Sequence, residues 1–538
     1  MQVFFCIVLN LDKNPKQFYN LAMSNVAAFT KTQTDGYTFK GDFITLGSGV
    51  YKGSVIPESH VKAPLSTINR HGLIAGATGT GKTKTLQRFA EALSEKGCPV
   101  FLMDIKGDVS GISQPGVEND RIKERHTKLG IPWNSHKYPV EFLTISEQKG
   151  THMRATVSEF GPVLFSKMLE LNDTQGGMVA VIFKYADDNK LPLLDLGDFK
   201  KTLQYVTNEG KEEVEKNYGA INSTSVSTIL RKIIELEGQG ANTFFGEKSF
   251  EVSDLIRKDA NGYGFINVIR LTDMQTKPKL FSTFMVALLA EIYAKFPEEG
   301  DVEKPKLTIF IDEAHLIFDQ ASKSLLDQLE TIIKLIRSKG VGIYFITQNP
   351  VDIPSAILGQ LGLKIQHALR AFTAQDRKAI TLAAQNYPIT EFYDIDETLT
   401  TLGMGEALIT VLDEKGNPTP LVHTMLCAPQ SRMDTITDGE LDQVVSSSSI
   451  AAGYNEVIDR ESATEILSKK IEQIAQASEA QAQDDQHNDS KSENQKKDEP
   501  GFIEGLTKNT MVRQIGREVT KELTRGLLGI FGMGGKRR

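Results

Sequence analysis

Cysteine is scarce in this sequence. There are three, Cys6, Cys98 and Cys427, in 538 residues. An odd number, set far apart, excludes a disulfide framework and every zinc-ligand spacing, and suits a reducing, intracellular compartment. Long apolar runs are missing too. The longest near the N-terminus, Val3–Leu9, stops at Asn10 and Asp12. It is too short to cross a bilayer. It also lacks the basic flank and small-residue cleavage site of a signal peptide, so a cytoplasmic protein with no transmembrane segment is expected. Positive charge is not in excess: 61 Lys and Arg face 69 Asp and Glu, a formal net charge of −8. That excludes a surface coated for nucleic acid, although a narrow basic channel would escape such a count.

What is present is an ordinary globular mixture, 40% hydrophobic and 24% charged. Such a chain can bury a large core without staples. Residues 36–62 read as short strands with glycine turns, a small N-terminal β-element. A strand follows at His71–Ala75, then a glycine-rich turn. Leu86, Phe89, Ala90 and Leu93 recur at helical spacing, and Pro99–Asp104 is a buried-type strand. This strand–loop–helix–strand order opens a parallel α/β unit. Residues of about 115–260 break the rhythm and read as a helical insertion. Strands resume at Phe265–Arg270, Leu307–Asp312, Gly342–Thr347 and Leu363–Arg370, and a hairpin closes the pattern at Ala407–Leu412 and Leu421–Met425.

The expected organisation is therefore an N-terminal segment 1–64, a core 65–430, a helical then disordered acidic linker 431–500, and a tail 501–538. The tail is amphipathic and basic, with eight Lys and Arg against three Glu. Such a helix can lie on anionic lipid or dock on protein.

Gly76-Ala77-Thr78-Gly79-Thr80-Gly81-Lys82-Thr83 matches the whole G-x-x-x-x-G-K-T pattern between a strand and a helix. Backbone N–H groups must turn inward to wrap a phosphate, so side chains must vanish at Gly76 and Gly81. Lys82 supplies a point charge to the β- and γ-phosphates of ATP, and the Thr83 hydroxyl binds Mg2+. The helix start adds its positive dipole end.

The strand Leu307–Ile311 ends in Asp312 and Glu313. Asp312 is placed to hold Mg2+, and Glu313 to polarise the attacking water. The competing reading is a solvated helix start, which also favours acids. Gln348 ends the next strand and is placed to sense the γ-phosphate, or else only to cap the loop. Asp104 ends the strand after the phosphate-loop helix, where it joins the metal shell or forms a turn.

Taken in order, GATGTGKT, MDIKGDVSG, TDMQTKPKLFSTFMVALLAEIY, FIDEAHLIF and FITQNPVDIP resemble the HerA-like branch of the HerA/FtsK group of P-loop ATPases. More narrowly the chain is similar to bacterial YjgR-type proteins with a HerA-like helicase C-terminal domain. The resemblance covers roughly residues 35–430 and the basic tail. It implies a RecA-like parallel sheet with an inserted helical subdomain, ATP hydrolysis, and a homo-oligomeric, hexameric ring acting on double-stranded DNA. It assigns water activation to Glu313 and sensing to Gln348. It also implies an arginine supplied by the neighbouring subunit, with Arg370 the first candidate and Arg337 the second. One departure stands out: the stretch before the phosphate-loop strand leaves room for at most a reduced version of the N-terminal β-barrel of archaeal HerA proteins, so the resemblance does not by itself imply a nuclease partner. The alternative is a ring ATPase acting on protein or at a membrane through the tail. A small-molecule kinase fits poorly, since no acceptor pocket or lid is apparent.

Overall fold

The short apolar runs become the strands of one twelve-stranded sheet in the computed structural model. It describes residues 15–300, 302–320 and 323–477. Residues Met1–Lys469 form one compact unit and Lys470–Arg538 a second. The basic tail and residues 478–500 of the linker expected from the sequence lie outside the described residues. Among the described residues no helix is long and apolar enough to cross a membrane.

The strands are β1 (Phe43–Tyr51), β2 (Ser54–Pro64), β3 (Gly72–Ala75), β4 (Val100–Asp104), β5 (Val140–Thr144), β6 (Thr151–His152), β7 (Ile266–Arg270), β8 (Leu307–Ile311), β9 (Val341–Thr347), β10 (Leu363–Gln366), β11 (Glu406–Thr410) and β12 (Val422–Leu426). Their order is β2-β1-β12-β11-β10-β3-β9-β8-β4-β7-β5-β6. From β10 to β6 every pair is parallel. From β10 back to β2 every pair is antiparallel. The fold is α/β, with a largely parallel central sheet. Strands β3, β4, β8 and β9 are buried along their whole length, which is why they read as unbroken apolar runs.

The N-terminal hairpin belongs to this same sheet. Lys52 (φ 48°) and Gly53 (φ 77°) make its turn, where two left-handed residues match the twist of the flanking strands. The phosphate-loop helix, Lys82–Glu95, packs Phe89 against Phe310 of β8 and Tyr344 of β9, at 5.5 and 5.2 Å between ring centres. Truncating a buried phenylalanine of this kind costs about 3–5 kcal/mol.

Two expectations change. The segment 115–260 is not wholly helical, because β5 and β6 lie within it and extend the parallel sheet beyond β7. Glu141 hides β5 from the apolar pattern. It is buried, and Arg257, Thr151 and Ser448 satisfy its carboxylate. The helical part runs from Val157 to Phe244, and its first three helices are opened by capping boxes such as Asn172 with Gln175. The strand expected over Leu363–Arg370 ends early, at Gln366. Beyond it the chain turns under the phosphate loop: the Ala77 N–H donates to the Ala368 carbonyl (2.8 Å).

Because β3, β4, β8, β9 and β10 are parallel, their carboxyl ends share one edge. In such sheets that edge is where ligands bind. The loops after Ala75, Asp104, Ile311, Thr347 and Gln366 all meet there.

Candidate active site

The phosphate loop leaves β3 at Gly76. Gly76, Gly79 and Gly81 have φ of 152°, 79° and 109°. A Cβ on Gly76 would sit 2.5 Å from the Cβ of His367, so the loop closes on that histidine only without a side chain. His367 is fully buried and faces Thr85 Oγ1 at 2.9 Å. Burial, and then the Lys82 charge, hold its pKa down at about 3, so it stays neutral. The Thr80 carbonyl accepts the Gly405 N–H (3.0 Å), and Arg125 grips the carbonyls of Met404, Gly405 and Leu426 behind it.

Lys82 folds back onto its own loop, donating to the carbonyls of Gly76 (2.6 Å) and Ala77 (3.1 Å). Its pKa is lowered, first by burial and then by the Lys106 ammonium, while Glu313, Asp312 and Asp108 oppose the shift. The Thr83 hydroxyl donates to Asp108 Oδ2 (3.2 Å).

Asp312 and Glu313 follow β8. Asp312 Oδ1 accepts the Glu313 N–H at 2.9 Å. Burial raises the Asp312 pKa to about 7, with Lys106 pulling against it and Glu313 adding to it. Glu313 has φ 47°, unusual for a residue with a side chain. Its Oε1 pairs with Lys106, and its Oε2 lies 3.2 Å from His315 Nδ1. Asp104 forms the turn: it accepts the N–H groups of Gly107 (2.7 Å) and Val109 (3.4 Å). Lys106 and Asp108 sit on that same turn, and reading the sequence misses both. The signal was there, since DIKGD sets three charges just past a strand end.

Gln348 and Arg370 line an open cleft of about 600 Å3 with Ala77, Thr78, His315 and Asn349. Arg370 therefore opens onto the phosphate loop of its own chain. Arg337 precedes β9, at the opposite end of the sheet from that loop.

Buried polar atoms test the fit of Mg2+. Asp312 Oδ2 and Asp108 Oδ1 are buried without a hydrogen-bond partner. Together with the Thr83 hydroxyl they form a hard oxygen donor set. No group of three or more His, Cys, Asp or Glu able to hold a metal occurs among the described residues. The two free carboxylate oxygens suit Mg2+, which usually needs one or two carboxylates and takes its other ligands from phosphates and water.

Strand, glycine loop, buried lysine and helix, with two acids at a strand tip on the same edge, define a P-loop nucleotide-binding protein. The chain belongs to the helicase HerA-like C-terminal family, whose model matches residues 51–538. Among curated proteins it is similar to the DNA double-strand break repair helicase HerA of Saccharolobus solfataricus, 25% identical over 364 residues, or 66% of this chain and 65% of that one. The HerA of Sulfolobus acidocaldarius is 22% identical over 370 residues, or 65% and 64%. The chain thus spans just under two thirds of the length of these relatives. A solved structure of the bacterial conjugative coupling protein TrwBdeltaN70 aligns with a TM-score of 0.49 at 13% identity, covering 76% of this chain and 95% of that one.

Proposed function

We propose that this protein is an ATP-hydrolysing motor of the HerA/FtsK type, a cytoplasmic homo-oligomeric ring that moves along double-stranded DNA. The observation that carries the reading is the convergence of Lys82, Thr83, Asp312 and Glu313 on one sheet edge, joined through Lys106 and Asp108. Lys82 leaves the loop carbonyls for the β- and γ-phosphate oxygens. Thr83 and Asp312, with Asp108 behind Thr83, would hold Mg2+, which when bound would supply positive charge to the phosphates. Glu313 takes a proton from water as the water oxygen attacks the γ-phosphorus. The bond from that phosphorus to the bridging oxygen breaks, and ADP leaves with its electron pair. Gln348 orients the water from the end of β9. Arg370, exposed in the cleft beside the phosphate loop, is the first candidate for the arginine offered to a neighbouring subunit, and Arg337 the second.

Duplex DNA as the track rests on the relatives, which are named DNA repair helicases. The test is ATP turnover by the full chain with and without duplex DNA, across a range of salt, beside a mass measurement with and without nucleotide. A stimulated oligomer is expected. An active ATPase that duplex DNA neither binds nor stimulates would sink the DNA reading and favour a protein substrate. An active monomer would sink the ring.

A further inference from the structure

The Glu313 carboxylate is ion-paired, not hydrogen-bonded: Oε1 lies against the Lys106 ammonium, Oε2 lies 3.2 Å from His315 Nδ1, and neither oxygen accepts a hydrogen bond. The Glu313 side chain is 7% exposed and that of Lys106 is 37% exposed, so the ammonium stands between the carboxylate and solvent. A nucleophilic water that uses this carboxylate as its base must first have one oxygen freed.

The turn that carries Lys106 is pinned. Asp104 accepts the N–H groups of Gly107 and Val109. Gly107 has φ 78°, and a Cβ there would lie 3.0 Å from Thr272 Cγ2. The flexible four-carbon stem of Lys106 is the part that can swing. Its ammonium is close enough to Lys82 to be the first charge opposing it, and Asp312, Glu313 and Asp108 act on both lysines. Lys106 lies on Glu313 after β8 and Lys82 lies on the Gly76 carbonyl after β3, so two ammonium groups stand at the same sheet edge.

We propose that Lys106 is a second phosphate-binding lysine, which exchanges the Glu313 carboxylate for the γ-phosphoryl oxygens of ATP. This rests on the ATPase reading above, with Glu313 as the base. The exchange does two things at once. It adds positive charge where negative charge spreads in the transition state. It also frees Glu313 Oε1 to accept the proton of the attacking water. ADP has no γ-phosphoryl group, so with ADP bound Lys106 stays on Glu313 and the base stays covered. One side chain thereby ties exposure of the base to the presence of a triphosphate.

The test compares Lys106→Met and Lys106→Arg, each alone and with Glu313→Gln, in the full chain. Affinities for Mg·ADP and for the Mg complex of the non-hydrolysable imido analogue of ATP are measured by calorimetry, beside kcat and KM for ATP. Lys106→Met is expected to leave ADP affinity within about twofold and to weaken the imido analogue about tenfold or more, as loss of a charged hydrogen bond does. It should also lower kcat at saturating ATP. Lys106→Arg should restore the triphosphate preference. Glu313→Gln should tighten the imido analogue alone, because it releases Lys106, and adding Lys106→Met should remove that gain. Equal effects of Lys106→Met on both nucleotides, or none on either, would overturn the proposal. The binding arms stand apart from turnover: a wild type that binds nucleotide but never hydrolyses it refutes the ATPase reading, and these affinities still decide what Lys106 touches.

Discussion

The two arms of the site are built on different principles. On the phosphate-loop arm, geometry comes from the backbone: three left-handed glycines, a loop closed on a neutral buried histidine, and a lysine resting on its own carbonyls. On the acid arm, geometry comes from charged side chains and the groups that meet them: Lys106 with Glu313, the Thr83 hydroxyl with Asp108, and backbone N–H groups with Asp104. A backbone cradle tolerates little change and is ready before its ligand arrives. A set of charge pairs can trade partners, and nucleotide brings the partner to trade for. The first arm should therefore fail through binding and folding, the second through turnover and through the preference for a triphosphate over a diphosphate.

The sharpest break is Lys82→Ala. It removes the phosphate charge and should weaken Mg·ATP binding by about 100-fold or more, read by titration calorimetry. Binding at wild-type strength would remove Lys82 from the phosphate site. Next comes Gly76→Ala, which forces a Cβ to 2.5 Å from His367 on a left-handed backbone. It should destabilise the fold by roughly 2–5 kcal/mol, measured by denaturant unfolding; an unchanged midpoint would show that the loop can relax.

A third prediction concerns the rigid side at the other end of β3. His71 is buried, its Nε2 faces the Ile333 carbonyl at 2.9 Å, and its Nδ1 accepts the Ile343 N–H at 3.0 Å. Burial lowers its pKa to about 4. The unfolded chain takes up that proton near pH 6.5 and the folded chain only near pH 4. Stability from this group is therefore intact above pH 6.5 and falls as pH drops to 4, by about 3 kcal/mol. The stability advantage of wild type over His71→Asn should shrink by that amount between pH 7 and pH 4. A constant difference would mean that the histidine is not held neutral. The smallest effect belongs to the cleft: Gln348→Ala should cut kcat by about tenfold with little change in KM, since it orients water and does not hold nucleotide. A rise in KM alone would reassign it to binding.

The same contrast explains what could be read in the sequence. The phosphate loop is legible because backbone demands dictate which residues stand at Gly76, Gly81, Lys82 and Thr83. The strands β3, β4, β8 and β9 are legible because burial on both faces makes them apolar throughout. Lys106 and Asp108 are not, because the pairing of β4 with β8 decides which polar residues of a turn face the site, and those strands lie far apart in sequence. Strand β5 is missed because Glu141 looks exposed until Arg257, Thr151 and Ser448 are seen around it. Arg370 is legible as an arginine near a strand end. Its place beside the phosphate loop depends on the turn after β10, and no spacing reveals that.

The most direct test of the account follows the fate of nucleotide on Glu313→Gln. The full-length variant is loaded with labelled Mg·ATP, and the bound nucleotide is analysed over many wild-type turnover times. A glutamine cannot take the proton, and Lys82, Thr83 and Asp312 are untouched. The account predicts that the nucleotide stays bound as ATP, with hydrolysis slowed by about 100-fold or more. Bound ADP accumulating at the wild-type rate would contradict it.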